Sequence, residues 1–337
     1  MTEIKVSRRA FLGGTAITAT AAIGAGLGVI GAPSIIRAQG SLKPLKLGWF
    51  VNAACLSPVA AAKHLGIFEK HGLDVELVKF GGTTDQLLEA LSTRKVDVSV
   101  GMALRWLKPL EQGFDVKLTG GTHGGCLRLL GDKTQGVSKI SDLKGKIIAV
   151  SDIGSPAKNF FSVLLGKRGL DPNKDVEWRV YPGDLLAQAI EKGEAQALAH
   201  QDPETWRFLK IERLTEVATN LTSEYADRVC CLVGVGNKFI KEDRPAAAAV
   251  TKALLEAQDL TAHHPELTVD VYKPYVANAT REDLIELLKT HTHFVHPTGD
   301  ELRKQLAAYT EELKVINVIK PSTDPVKFAE RITIDVI

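Results

Sequence analysis

Short apolar runs alternate with amphipathic stretches along most of this chain, beginning near Leu45. Residues 45–51, 75–80 and 96–100 have the length and apolar content of buried strands. The segments between them, 57–71 and 83–94, repeat apolar positions at helical spacing. Alternation of strand and helix in this order predicts parallel strands joined by crossover helices.

The same pattern restarts about 100 residues later. Strands are predicted at 146–150, 176–180 and 195–199, with helices at 155–168 and 185–192. Repetition of the unit predicts an α/β protein with two similar βαβ lobes. Beyond residue 238 the pattern is helical, with helices predicted at 244–263, 265–276, 281–290 and 298–313.

No low-complexity linker separates the two repeated units. Short strands near 119–130 and 229–235 are therefore predicted to join the lobes, and two such connections form a hinge. We expect residues 41–125 to form the first part of lobe I, 126–228 lobe II, and 229–337 the second part of lobe I.

The first 40 residues have the features of an export signal. Ser7, Arg8 and Arg9 precede a Gly- and Ala-rich apolar stretch over 13–32, and the small residue Ala38 follows. A basic start, an apolar middle and a small residue at the end predict a twin-arginine signal peptide over 1–40 and a periplasmic protein. A retained membrane anchor is the alternative, which the many Gly and Thr residues disfavour.

Composition and charge exclude one class of partner and leave the predicted fold unchanged. The chain carries 42 Lys and Arg against 40 Asp and Glu, a net charge of +2, without a long basic run. Nucleic acid is therefore not expected as a partner. The part after residue 40 is also longer than a single hydrophobic core usually serves, which again indicates two lobes.

The first candidate binding residues lie at helix starts, which occupy matching places in the two units. Ser57-Pro58 and Ser155-Pro156 each follow a predicted strand, and Thr83 and Thr84 begin another predicted helix. Serine at the N-cap with proline next is a strong start signal, and exposed N–H groups there attract anions. These starts predict a small-anion site, with Arg105 as a candidate counter-charge; simple capping is the alternative.

The four cysteines, Cys55, Cys126, Cys230 and Cys231, fit neither a disulfide framework nor a zinc spacing. Cys230 and Cys231 are expected to be buried strand residues. Two alternatives stay open: Cys126 with His123 as nucleophile and base, or Cys55, Cys126 and His123 binding a soft metal such as copper. We expect no catalytic residue, no cofactor and no metal.

Six segments carry a resemblance to a known family. They are Leu47-Gly48-Trp49, residues 66–76 and 81–91, Val96-Asp97-Val98, residues 141–146, and Gln201-Asp202-Pro203. In this order they resemble the nitrate, sulfonate and taurine type of periplasmic solute-binding proteins that serve ABC importers. The resemblance covers nearly all of the chain after residue 40.

That resemblance implies a type II periplasmic binding protein fold whose lobes close around a small-molecule ligand. It implies a monomer that meets a membrane permease, and a ligand that is a small anion such as a sulfonate or nitrate. A pyrimidine-type vitamin precursor is the alternative, and Asp152 and Asp202 leave a zwitterionic or heteroaromatic ligand open. The implied contacts with the ligand include Asn52, Cys55, Ser57, Thr83, Thr84, Arg105, His123, Cys126, Ser155 and Asp202.

Overall fold

The computed structural model describes residues 41–81, 85–276 and 278–337, so the predicted signal over 1–40 lies outside the described residues. Ten strands lie in these ranges. They are β1 Lys43–Phe50, β2 Leu73–Phe80, β3 Val98–Met102, β4 Val116–His123, β5 Leu127–Asp132, β6 Lys146–Val150, β7 Val176–Val180, β8 Ala197–Gln201, β9 Leu214–Thr219 and β10 Cys231–Gly236.

The helices of the described residues alternate with these strands and then follow them. They are α1 Ser57–His64, α2 Ile67–Lys70, α3 Asp85–Ser92, α4 Ala103–Glu111, α5 Pro156–Lys167, α6 Leu186–Glu191, α7 Glu204–Phe208, α8 Asn237–Glu242, α9 Arg244–His263, α10 Pro265–Tyr272, α11 Arg281–Thr290, α12 Gly299–Val315 and α13 Pro325–Ile332. In the part of the chain described here, none of them combines the length and the apolar character that a membrane span requires.

The strands form two five-stranded sheets with the same internal order. The first sheet is β2-β1-β3-β10-β4 and the second is β7-β6-β8-β5-β9. In each, three parallel strands from a βαβαβ unit are followed by an antiparallel strand, and a fifth strand pairs antiparallel with that one. The predicted α/β class with a repeated unit is confirmed.

The chain passes between the sheets twice. Residues 124–126 lead from β4 of the first sheet to β5 of the second, and residues 220–230 lead from β9 back to β10. The first crossing is short, and Asn220 ties the second crossing to it. The Asn220 side chain accepts hydrogen bonds from the backbone N–H groups of Cys126, at 2.9 Å, and Leu127, at 2.7 Å.

Helix α4 is seated on the first sheet by Trp106, which is fully buried. Its ring fills the space that two glycines leave open. A Cβ added to Gly101 of β3 would lie 2.2 Å from Trp106 Cζ2, and one added to Gly234 of β10 would lie 2.7 Å from Cζ3. Glycine at these strand positions therefore serves a close helix-to-sheet contact.

The helices after β10 pack on the first sheet and its helices. α9 contacts α1, α2 and β4, and α12 and α13 also contact β4. Among the described residues, Trp49 of β1 meets the rings of Tyr272 and Tyr275 edge-on, with centroids 6.4 and 5.0 Å apart. The helical tail thus completes the core beside the first strand.

Two predicted helices end earlier than their pattern indicated. The helix predicted over 57–71 stops at His64, because Gly66 adopts a left-handed conformation with φ of 75°, and α2 follows separately. The helix predicted over 265–276 stops at Tyr272, where Pro274 lies in a short 3-10 turn. Proline lacks the N–H that a continuing helix would use.

Candidate functional site

A cavity of about 690 Å³ opens between the two sheets. This volume lies in the range of small-molecule sites. Residues from both halves of the fold line it: Phe50, Asn52, Gly81, Arg105, Ser151, Asp152, Ser155, Pro156, Ala157, Gly183, Asp184, His200, Gln201, Pro203, Glu204, Trp206, Arg207, Lys210, Tyr275, Val276, Asn278, Ala279, Asp283, Leu284 and Leu287. We call this cavity the cleft.

The cleft lies where parallel strands end. Phe50 is the last residue of β1, Ser151 follows β6, and Gln201 ends β8. Carboxyl ends of parallel strands, with the loops that follow them, are the usual place for a ligand in open α/β sheets. Two polar residues at these strand ends, Asn52 and Gln201, both line the cleft.

Of the predicted helix starts, Ser155 lies at the cleft and acts as the N-cap of α5. Its hydroxyl accepts a hydrogen bond from the Lys158 N–H at 3.2 Å, and Pro156 is the first helical residue. The predicted cap is confirmed here. The N-terminal N–H groups of α5 that lack intrahelical partners therefore begin beside the cleft.

The prediction that Ser57 caps α1 is wrong. A short 3-10 turn, Ala54–Leu56, precedes the helix, so Leu56 is the N-cap and Ser57 is already helical. The Ser57 hydroxyl is buried and makes no hydrogen bond within the described chain. Thr83 and Thr84, the third predicted helix start, lie outside the described residues.

Arg105 and Asp152 join the two sides of the cleft. Arg105 belongs to α4 beside the first sheet, Asp152 follows β6 of the second, and Arg105 Nη1 donates to Asp152 Oδ1 at 2.5 Å. Asn159 of α5 makes a second connection, donating to the Leu104 carbonyl at 3.1 Å. Arg105 therefore faces the cleft, with one of its N–H groups held by Asp152.

Glu204 is the most perturbed carboxyl of the lining. Burial raises its pKa to about 7. Its Oε2 atom is buried without a hydrogen-bond partner in the described part of the chain, and so is the indole Nε1 of the nearby lining residue Trp206. An unpaired acceptor and an unpaired donor cost free energy when buried, roughly 1–3 kcal/mol each, so both are suited to bonds with a bound molecule.

The cleft is not a simple positive pocket. Four described lining residues are acidic (Asp152, Asp184, Glu204 and Asp283) and three are basic (Arg105, Arg207 and Lys210). Arg105 is paired with Asp152, and Lys210 with Asp283. Burial also lowers the pKa of the lining residue His200 to about 4, so this imidazole is neutral at physiological pH. The cleft therefore has regions of positive and of negative electrostatic potential.

Asp202, a predicted ligand contact, lies fully buried beneath the cleft. Its carboxylate accepts from Arg128 Nε at 3.1 Å and from the Thr205 hydroxyl at 2.6 Å, and it lies 3.0 Å from His291 Nε2. Burial alone would raise the pKa of Asp202, but bonds to His291 and Arg128 lower it below its ordinary value. This network holds the start of α7, which carries Glu204 and Trp206.

Cys55, His123 and Cys126 are also buried, at 1%, 0% and 0% exposure, and they do not contribute to the described lining of the cleft. Cys126 Sγ lies 3.7 Å from Cys230 Sγ. Hydrogen bonds from the Cys126 and Cys231 thiols lower the pKa of Cys55. Burial opposes charge on His123, but the nearby Cys55 raises its pKa.

Most of the lining was not predicted from the sequence, and three of the missed residues bear on binding: Glu204, Trp206 and Tyr275. Glu204 and Trp206 follow the Gln201-Asp202-Pro203 step directly, so extending that segment by one turn was a signal that could have found them. Tyr275 comes from the helical tail and reaches the cleft only through tertiary packing. Nothing in its local sequence indicates this position.

Comparison with known proteins gives a family and a fold. The family model described as NMT1/THI5 like matches residues 55–268. A protein of Brucella abortus (strain 2308), described as a candidate binding protein, is 24% identical over 231 residues, which cover 68% of this chain and 70% of the relative.

Solved structures of low sequence identity share the whole fold. The periplasmic aliphatic sulphonate binding protein SsuA from Escherichia coli matches with a TM-score of 0.72 and 16% identity, covering 86% of this chain and 97% of that one. The periplasmic nitrate-binding protein NrtA from Synechocystis PCC 6803 matches with a TM-score of 0.70 and 14% identity, covering 87% and 86%. The predicted two-lobed periplasmic binding protein fold is confirmed.

Proposed function

The chain belongs to the NMT1/THI5-like family, and on that premise we propose that it is an extracytoplasmic solute-binding subunit of an ABC importer. Its structural neighbours include ligand-binding components of such importers. The cleft between two sheets joined by two chain crossings supports this role, because such a hinge can close on a solute. The subunit itself performs no chemistry on the solute.

The ligand we propose is a small polar molecule with an acceptor or anionic group at one end and a hydrogen-bond donor at the other. The acceptor group lies near the start of α5 and Arg105, and the donor group faces Glu204. This proposal is carried by the unpaired Oε2 of Glu204 in a cleft of mixed charge. A plain anion such as nitrate or a simple sulfonate, the class expected from the helix starts, would leave this carboxyl unpaired.

Aromatic rings support a planar ligand within that class. Phe50, Trp206 and Tyr275 line the cleft, and stacked ring contacts add to the binding of flat heterocycles. An aminopyrimidine of the vitamin-precursor type presents an amino donor beside ring nitrogen acceptors. It is therefore our second candidate beside a zwitterionic sulfonate such as taurine.

Closure of the cleft supplies the affinity. When the two sheets approach, water leaves the site, and the bonds of the ligand to Glu204, Trp206 and the start of α5 strengthen in the drier surroundings. The Arg105–Asp152 pair already spans the cleft and would be part of the closed state. The closed surface is what a membrane permease would recognise.

The lobe boundaries and the location belong to the same proposal. We place residues 41–125 and 229–337 in one lobe and 126–228 in the other, which agrees with the membership of the strands in the two sheets. The subunit works as a monomer in the periplasm after removal of the signal over 1–40.

The alternative enzyme, with Cys126 as nucleophile and His123 as base, has no support in the described geometry. Both side chains are fully buried, and Cys126 contacts another thiol rather than the imidazole of a base. A nucleophile needs access to its substrate and an orienting base.

The test is calorimetric titration of the full chain with three probes: nitrate, taurine and a 4-aminopyrimidine. At pH 8, where the Glu204 carboxyl is ionised, we expect binding of a probe with a donor group. Glu204→Gln should weaken it about 10-fold, or about 1.4 kcal/mol, since a hydrogen bond to a carboxylate is stronger than one to the neutral amide oxygen of glutamine. The matched control Glu194→Gln changes an exposed glutamate that does not line the cleft. Tight binding of nitrate that Glu204→Gln leaves unchanged would contradict the proposed ligand class.

A further inference from the structure

Three potential metal ligands converge in the interior, behind the cleft. The Sγ atoms of Cys55 and Cys231 and a ring nitrogen of His123 all lie within 4.8 Å of one another. All three residues are buried, with exposures of 1%, 0% and 0%. None of the three lines the cleft as described, so this group, which we call the thiol-imidazole cluster, is a separate feature.

The fold of the first sheet places these donors together. Cys231 begins β10 and pairs directly with His123 at the end of β4. Residues opposite each other in an antiparallel pair project on the same side of the sheet. Cys55 lies in the short turn after β1, which ends at the same edge of the sheet. The cluster is therefore built on strands and a turn that the rest of the core holds in place.

Apolar packing explains the buried cysteines but not the histidine. A free cysteine behaves as a small apolar residue in a core. His123 has two ring nitrogens that are both buried without a hydrogen-bond partner of good geometry among the described residues. Its neighbours His291 and His293, with ring centroids 6.4 and 5.7 Å away, instead each use one nitrogen in a hydrogen bond. The unpaired imidazole of His123 faces the two thiols.

We propose that Cys55, Cys231 and His123 bind one thiophilic metal ion, Cu(I) or Zn(II). Thiolate and imidazole are the ligands these ions prefer, whereas Mg²⁺ and Ca²⁺ require oxygen donors that the cluster lacks. The ion takes the place of the missing hydrogen bond to His123. This site goes beyond the solute-binding role and does not depend on it.

The neighbouring thiols supply a control. Cys126 and Cys230 lie beside the cluster, with their Sγ atoms 3.7 Å apart, but they do not belong to the set of three converging donors. Removing a thiol here changes the same buried surroundings without removing a proposed ligand. Cys126→Ser is therefore the matched control for Cys55→Ser and Cys231→Ser.

The experiment uses the full chain, reduced and freed of metal under anaerobic conditions. It is titrated with Zn(II) and separately with Cu(I), each against a competing chelator, and bound metal is counted by elemental mass spectrometry. We expect one ion per chain for at least one of the two metals, and the two titrations show which. Cys55→Ser and Cys231→Ser should each weaken binding at least 10-fold, and Cys126→Ser should retain it.

The metal titrations can overturn the site in two ways. One is absence of stoichiometric binding of either metal to the wild-type chain; the other is equal loss of binding in Cys126→Ser. Variants that fail to fold do not decide the matter, so wild-type protein is also loaded with Co(II). Thiolate-to-cobalt charge-transfer absorption supports the cluster, and its absence from a cobalt-loaded chain counts against it. A Cys126–Cys230 disulfide in protein purified without reductant, together with no bound metal, would assign these thiols to redox chemistry instead.

Discussion

At the scale of single residues, hydrogen-bond partners decide how burial changes a carboxyl group at or beneath the cleft. Glu204 and Asp202 are two residues apart, yet burial raises the pKa of the first to about 7 while bonded partners lower the pKa of the second. The difference arises because Asp202 has Arg128, Thr205 and His291 as partners and Glu204 Oε2 has none among the described residues. Sequence alone cannot distinguish two such neighbouring carboxyls.

Glu204 makes stability depend on pH. The folded chain holds the Glu204 proton up to about pH 7, whereas an unfolded chain releases it near its ordinary pKa of 4.5. The free energy of unfolding therefore falls as pH rises from about 4.5 to 7, by roughly 2–3 kcal/mol, since each unit is worth about 1.4 kcal/mol. Urea unfolding at pH 5 and pH 8 should show this loss in the wild type and a smaller one in Glu204→Gln. Equal losses of unfolding free energy in both proteins would show that a group other than Glu204 binds the proton.

Asn220 shows how one side chain holds a backbone crossing. Asn220→Ala removes the acceptor of two buried N–H groups, those of Cys126 and Leu127. We expect a loss of about 2–4 kcal/mol in the free energy of unfolding, because each unpaired buried donor costs about 1–3 kcal/mol. Asn173→Ala, at an exposed position, should change it by about 0.5 kcal/mol or less. A similarly small effect at Asn220 would show that water replaces the side chain.

At the scale of elements, the sequence pattern was most successful where periodicity and caps agreed. The predicted bounds of β6, β7, α9 and α11 match the structure residue for residue. Errors occurred where one residue overrode the pattern, as Gly66 and Pro274 did. The Ser57 cap was wrong because a 3-10 turn preceding α1 takes up the position that the cap would have occupied.

Alanine substitutions at two glycines are expected to change the stability of the protein in opposite directions. Gly101→Ala should destabilise the protein by about 1–3 kcal/mol or more, because the new Cβ would lie 2.2 Å from Trp106 Cζ2. Gly166→Ala, at an exposed position of α5 with no atom near the new Cβ, should stabilise it by about 0.5–1 kcal/mol. Thermal unfolding measures both. A neutral result for Gly101→Ala would mean that Trp106 can move away from the sheet.

At the scale of the whole molecule, the repeat of the βαβαβ unit could be predicted, because each of its strands and helices has a local pattern of apolar and polar residues. The site could be predicted only in part. Asn52, Arg105, Ser155 and Gln201 reach the cleft from strand and helix ends, as their positions indicated. A meeting of Cys55 with His123 was one alternative from the sequence, but with Cys126 as the third residue. The place of Cys231 was not foreseen, because it depends on the register of β4 with β10, which are more than 100 residues apart.

Recovery of a captured solute tests the central proposal most directly. The full chain is incubated with a small-molecule extract, separated from unbound compounds and denatured, and the released compound is quantified and weighed by mass spectrometry. The account predicts one molecule per chain, with a mass unchanged by prolonged incubation, and a clear reduction for the Glu204→Gln variant. Release of a compound whose mass has shifted, formed in excess over the chain, would contradict it and show an enzyme.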